Sequence, residues 1–279
     1  MIIRCWGARG SIPVSGRQYL RYGGDTTCLE IRSKHNDVII IDAGSGIRRL
    51  GKRLIAEHNR KFTLILTHAH WDHIMGFPFF KPLYYKSTRM DVYGCPHAQR
   101  STREILAGIM APPHFPVHVD DVRAQVDYHE FCNRRFSVNS ITIDPIAISH
   151  PNEGVGYRFT EDGKSFVFLT DNELTYQHEG GHDYNSYLAF TRNADLLFHD
   201  AEYTEADYKK TRTWGHSVYK DALRLAIEAG VKRFGLFHHN QDRSDRGVGR
   251  MVQECRRVVA RRNLSLDCFA ASQDMEIIL

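Results

Sequence analysis

Residues 67–73 read Thr-His-Ala-His-Trp-Asp-His and directly follow the apolar run 62–66. A run of this kind reads as a buried strand, and the carboxyl end of a strand is where an α/β sheet presents its chemistry. His68, His70, Asp72 and His73 therefore concentrate four metal-binding side chains on one short segment. His68 and His70 can share a direction on an extended backbone while Asp72 and His73 fall one turn further on, which leaves room for two adjacent metal sites. Imidazole nitrogen and carboxylate oxygen suit zinc, manganese or iron, and no cysteine stands nearby to build a thiolate-rich structural site.

With 279 residues, 42% of them apolar, the chain can bury the core of one large α/β domain spanning 1–279. Short apolar strand candidates fall at 28–31, 38–41, 62–66, 90–93, 141–148, 156–159, 165–169, 196–198, 234–237 and 275–279. Helical patterns lie between some of them, at 46–56, 101–109 and 217–229, the last with Ser217 as N-cap and Gly230 as the stop. Hairpin-like strand pairs mixed with helices predict a pair of mixed sheets covered by helices. The proline-rich stretch 111–116 reads as a loop. The glycine turns at 7–10, 23–24 and 44–46 match neither a Walker A nor a dinucleotide fingerprint, so no nucleotide cofactor is expected.

Composition narrows the setting. The six cysteines (Cys5, Cys28, Cys95, Cys132, Cys255, Cys268) are dispersed without a C-x-x-C pair and read as reduced thiols, which favours the cytoplasm. The first residues carry no basic-then-apolar leader and no stretch approaches about 18 consecutive apolar residues, so neither export nor a membrane partner is expected. A net charge of +4 suits an anionic substrate without implying nucleic acid. The basic run 256–262 reads as the solvated face of a helix whose Val248, Met251, Val252, Cys255, Val258 and Val259 recur at helical spacing.

A dinuclear centre needs ligands beyond the first cluster, and other strand ends offer them: His150 ends 141–149, Asp171 ends 166–170 and His238 ends 234–237. In this order, together with Tyr22-Gly23-Gly24-Asp25-Thr26-Thr27-Cys28, Ile41-Asp42-Ala43-Gly44, Leu169-Thr170-Asp171, His199-Asp200-Ala201, Gly215-His216-Ser217 and Phe237-His238-His239, the chain resembles the metallo-β-lactamase superfamily. The branch it resembles is that of ribonuclease Z and the cyclic-phosphate phosphodiesterases. The resemblance implies a four-layer αββα sandwich in which His68, His70 and His150 hold one divalent ion. Asp72, His73 and His238 would hold a second, with Asp171 between the two; zinc is the first choice, manganese and iron the alternatives. His239 is the weaker candidate beside His238. His70 also separates the chain from the flavodiiron branch, which has Glu at that position.

The implied chemistry is hydrolysis by a metal-activated water that Asp72 helps to orient. His216 matches the histidine that the phosphodiesterase branch keeps near its leaving group. Asp200 lies where ribonuclease Z has a Glu orienting that histidine, so a His216–Asp200 acid pair is expected, with a shorter carboxylate than the family's. His150 and Asp171 stand too close in the chain to admit a long tRNA-gripping arm, which favours a small phosphodiester, such as a cyclic nucleotide or cyclic sugar phosphate, over long nucleic acid. The stretch 77–136 is expected to set selectivity, and a homo-oligomer is left open. The rival readings are a thioester or lactam hydrolase of the same fold and a non-enzymatic, metal-dependent ligand sensor.

Overall fold

The structure is a computed structural model that describes residues 1–96, 100–130, 132 and 134–279. Of the stretch expected to set selectivity, residues 97–99, 131 and 133 therefore lie outside the described residues. The strands are β1 (Ile2–Gly7), β2 (Cys28–Arg32), β3 (Val38–Ile41), β4 (Lys61–Ile65), β5 (Arg89–Gly94), β6 (Gln125–Glu130), β7 (Phe136–Val138), β8 (Ile141–Ala147), β9 (Val155–Glu161), β10 (Lys164–Leu169), β11 (Leu196–Asp200), β12 (Arg233–Phe237), β13 (Asp267–Ala270) and β14 (Glu276–Ile278). The helices are α1 (Ile47–Ala56), α2 (Trp71–Ile74), α3 (Thr102–Ile109), α4 (Tyr184–Thr191), α5 (Glu205–Thr211), α6 (Tyr219–Glu228) and α7 (Asp245–Arg261).

Two seven-stranded sheets form, in the orders β14-β1-β2-β3-β4-β5-β6 and β13-β12-β11-β10-β9-β8-β7. Alternation of side chains along each strand gives each sheet an inner and an outer apolar face. Between the sheets, Ile3, Leu29, Ile31, Ile39 and Ile65 meet Phe159, Phe166, Phe168, Phe198 and Phe237. On the outer face of the first sheet α1 lays down Ile47, Leu50 and Leu54, and α3 adds Leu106. On the outer face of the second, α6 contributes Ala222, Leu225 and Ala226, and α7 contributes Val248, Met251, Val252, Cys255 and Val259. These layers are the expected αββα sandwich.

The ends of α7 show why it forms where it does. The Ser244 side chain accepts a hydrogen bond from the Gly247 amide, and Asp245 sits in the positive first turn. Arg256, Arg257, Arg261 and Arg262 are exposed, so the basic run is a solvated helix face as expected. α6 departs from expectation: its N-cap is Val218, with no side-chain cap. Ser217 is instead spent on tertiary bonds, donating to the Asn172 carbonyl at 2.6 Å and accepting from the Leu174 amide at 3.0 Å. Gly230 does end α6 in a left-handed conformation, at φ 67°.

The cysteine reading needs a correction. Cys95 and Cys132 form a disulfide across a sequence separation of 37, while Cys5, Cys28, Cys255 and Cys268 are free and buried. β5 and β6 run parallel with Gly94 opposite Glu130, so the residues leaving both strands emerge at one end, a proximity invisible in linear spacing. The bridge removes the thiol argument for the cytoplasm. No helix among the described residues is long and apolar enough to cross a membrane.

Sheet polarity places the site. β3 and β4 pair in parallel with Ile41 opposite Ile65, and β10, β11 and β12 pair in parallel with Leu169 opposite His199 and Asp200 opposite Phe237. Their carboxyl ends release Asp42, residues 67–73, Asp171, Asp200 and His238 along one edge of the sandwich. Asp42, Asp171 and His238 take left-handed backbone conformations, at φ 59°, 52° and 56°. Aspartate and histidine tolerate that region better than most side chains, and such outliers gather at functional sites, at a cost of roughly 1–3 kcal/mol each.

Candidate metal centre

His68, His70 and His150 each bring one ring nitrogen to within 4.8 Å of the others. Asp72, His73, Asp171 and His238 do the same with one nitrogen or oxygen each. Asp171 links the groups: its Oδ1 lies 3.8 Å from His68 Nε2, 3.9 Å from His150 Nε2 and 3.2 Å from His238 Nε2, and its Oδ2 lies 3.2 Å from His73 Nε2. All seven residues singled out as ligands are thus brought together. His239 points elsewhere, its Nε2 bonded to the Ala271 carbonyl at 2.8 Å.

Each ligand is held from behind. His73 Nδ1 donates to Asp42 at 2.8 Å, and His238 Nδ1 donates to Glu202 at 2.8 Å. His68 Nδ1 lies 3.0 Å from the Thr67 hydroxyl, which donates to Asp42 at 2.8 Å. His150 Nδ1 donates to the Gly215 carbonyl at 3.0 Å. Such contacts fix the ring planes and aim Nε2 of these histidines at the centre. Asp72 accepts from the Ser11 amide at 2.9 Å and faces His238 Nε2 at 3.1 Å. Backbone must come close to achieve this. A Cβ on Gly215 would stand 2.0 Å from His150 Nδ1, and one on Gly10 would stand 2.3 Å from the His238 ring.

The electrostatics differ across the centre. Burial lowers His68 well below the usual imidazole value and His150 to about 3, so both stay neutral. Burial opposes charge on His73 and His238 as well, yet Asp72, Asp171 and Asp42 around the first, and Asp171, Asp72 and Glu202 around the second, raise both well above it. Asp72 and Asp171 would be raised by burial but are held well below the ordinary carboxylate range by His73 and His238. A centre this dense in buried carboxylates and imidazoles calls for a compensating cation. His68 Nε2 and His73 Nε2 are buried without a hydrogen-bond partner, which is what a metal-ligating nitrogen looks like before its ion is added. The donor set of imidazoles and carboxylates fits divalent zinc, manganese or iron.

His216 stacks on His238 with ring centroids 4.7 Å apart, and its Nδ1 donates to Asp200 at 2.7 Å. The shorter carboxylate reaches because the same Asp200 also accepts from the Ser217 and Glu202 amides, at 3.0 and 3.1 Å, which draws the 215–217 loop onto the end of β11. Burial would lower His216, but Glu202 and Asp200 raise it to about 9. Sequence reasoning assigned no role to Asp42, Glu202, Thr67 or Glu173. Asp42 stood inside a quoted motif and Glu202 directly follows one, and their place just past the end of an apolar run was the available signal. Glu173, buried, accepts from the Gly215 amide at 2.8 Å and the Thr213 amide at 2.9 Å, and nothing in its sequence neighbourhood marks it.

Comparison with known proteins bears on the family and the fold. The sequence profile of the Beta-lactamase superfamily domain matches residues 37–239. Ribonuclease Z of Lactococcus lactis subsp. cremoris (strain MG1363) is 23% identical, over 86% of this chain and 91% of its own length. Among solved structures, the metallo-beta-lactamase fold protein YhfI from Bacillus subtilis superposes with a TM-score of 0.70 at 18% identity, over 99% of both chains. A diphosphatase of the PhnP family superposes with a TM-score of 0.67 at 18% identity, over 100% of this chain and 97% of its own.

Proposed function

Since the chain belongs to the beta-lactamase superfamily, we propose that it is a metal-dependent hydrolase of phosphodiester bonds that acts on a small substrate. The observation that carries this reading is His216, held on Asp200 at 2.7 Å and stacked beside His238. A phosphodiester has a poor leaving alkoxide that needs a proton, whereas a thioester releases a thiolate that has less use for such a group. The names of the relatives, a ribonuclease Z and a PhnP-family diphosphatase, point to the same bond class.

The residues divide the work. His68, His70 and His150 would hold one divalent ion, and Asp72, His73 and His238 a second, with Asp171 between them. Such a pair supplies Lewis acidity, which lowers the pKa of water toward about 7 and neutralises charge on phosphoryl oxygens. Asp72, fixed by the Ser11 amide, orients the attacking water. His216 keeps Nδ1 on Asp200 and is left with Nε2 to pass a proton to the departing oxygen. Raised to about 9, it carries that proton at neutral pH.

Substrate size is argued from the chain between His150 and Asp171. It is filled by the antiparallel pair β9–β10, with Lys164 opposite Glu161 across a tight turn, and carries no arm. The competing reading, a tRNA-processing nuclease, is favoured by the name of the Lactococcus relative. A panel of 2′,3′- and 3′,5′-cyclic nucleotides, a tRNA precursor, a thioester and a lactam, offered to protein of measured metal content, separates them. Turnover of the small phosphodiesters, lost on chelation and in Asp72→Asn, is expected. Cleavage of the precursor alone would replace the small-substrate reading.

A further inference from the structure

A cavity of about 620 Å³ opens beside the metal centre, between α3 and the loop that follows His150. Its lining combines the ligand candidates His68 and His70, the apolar Ile74, Ile105, Gly108 and Ile109, and the polar Arg100, Asn152 and Glu153. His216, the proposed proton donor, does not line it. Its volume falls within the roughly 300–1,000 Å³ of small-molecule sites.

The α3 side is built in a telling way. Ile105, Gly108 and Ile109 stand at i, i+3 and i+4, one helical face, and all three line the cavity. Gly108 is the penultimate residue of α3, and neither a left-handed turn nor a close approach requires a glycine there. Gly108 has no left-handed φ, and a Cβ built on it meets no atom within 4 Å. What the missing side chain does provide is an open floor between two isoleucines. Across from it, Asn152 and Glu153 adopt consecutive left-handed conformations at φ 64° and 66°, which is unusual for Glu. This brings an amide and a carboxylate to the rim, with the Asn152 amide nitrogen 3.3 Å from His70 Nε2 and the Glu153 amide donating to the His150 carbonyl at 3.1 Å.

Resting on the phosphodiesterase reading, we infer that this cavity seats the nucleobase of the arm that keeps the phosphoryl group, and that Gly108 determines its fit. A nucleobase is flat and apolar on its faces and polar at its edge. The isoleucines and the bare Gly108 backbone match the faces, and Asn152 and Glu153 match the edge. Arg100 adds a cation at the mouth for an anionic substrate. The leaving oxygen departs on the His216 side.

Two esters with the same leaving group test this: thymidine 5′-(p-nitrophenyl phosphate) and methyl p-nitrophenyl phosphate, which differ only in the retained arm. Metal-loaded wild-type protein should prefer the thymidine ester in kcat/KM. Gly108→Leu should cut that preference at least about tenfold through KM, leaving methyl ester turnover, metal content and Tm near wild type. Gly108→Ala should have a smaller effect and no lower Tm. An unchanged ratio in folded, metal-loaded Gly108→Leu would overturn the assignment. If wild type turned over neither ester, the phosphodiesterase reading would fall, and calorimetric binding of thymidine 5′-monophosphate would still decide the cavity. Binding weakened in Gly108→Leu supports the seat; equal or absent binding in both proteins refutes it.

Discussion

The two halves of the centre are built from different materials. His68, His70 and His150 form a neutral half, backed by the Thr67 hydroxyl and the Gly215 carbonyl and opening toward the cavity through the half-buried His70. Asp72, His73 and His238 form an acidic half, buried throughout, in which both histidines are backed by carboxylates, Asp42 and Glu202. A carboxylate behind an imidazole raises its basicity, whereas a hydroxyl or carbonyl mainly orients it. On the proposed reading the acidic half would be the stronger cation trap, and the neutral half the one that would face substrate and exchange its ion.

The comparison breaks most severely at Asp171, whose carboxylate stands between the halves, 3.8 Å from His68 and 3.2 Å from His73 and His238. Asp171→Asn should strip metal from both, measured by elemental analysis, and lower phosphodiester turnover by roughly 10³-fold or more. Retention of one full ion would show that the halves are independent. Next in size is His216→Ala, which should slow substrates with alkoxide leaving groups by about 10²-fold while sparing p-nitrophenyl esters and leaving metal content unchanged. An equal loss on both would remove the proton-donor role.

Smaller substitutions sharpen the difference between the halves. Glu202→Gln should weaken metal binding about 10- to 100-fold, confined to the tighter of two phases in a titration of the apoprotein. Thr67→Val, which removes the hydroxyl between His68 and Asp42, should weaken the looser phase by less than about tenfold. If Glu202→Gln changed only the looser phase, the assignment of strong and weak halves would be reversed.

Much of this was legible in the sequence because the ligands sit at the ends of apolar runs. The strands ahead of His68, Asp171 and His238 are buried on both faces, so they read as continuous hydrophobic stretches with a polar stop, while β8, ahead of His150, is half-buried and shows in the alternation of Ile141 and Ile143 with Thr142 and Asp144. β1, β6, β7 and β13 were not. β6 and β7 are half-exposed, with polar residues interrupting their alternation, as in Gln125-Val126-Asp127-Tyr128-His129-Glu130. β1 and β13 lie near the ends of the chain and are set in place by pairing with β2 and β14 and with β12. The supporting carboxylates were hidden for another reason. Asp42 and Glu202 reach their histidines across sequence separations of 31 and 36, and only the sandwich brings them together. The Cys95–Cys132 bridge was hidden in the same way.

The most direct test of the account is a titration of metal-free protein with zinc, following bound metal and turnover of a small phosphodiester in the same samples. Two equivalents should bind in two phases, with hydrolysis appearing as the second, weaker site fills and vanishing on chelation. Full occupancy of both sites with no hydrolysis of any small phosphodiester would contradict it.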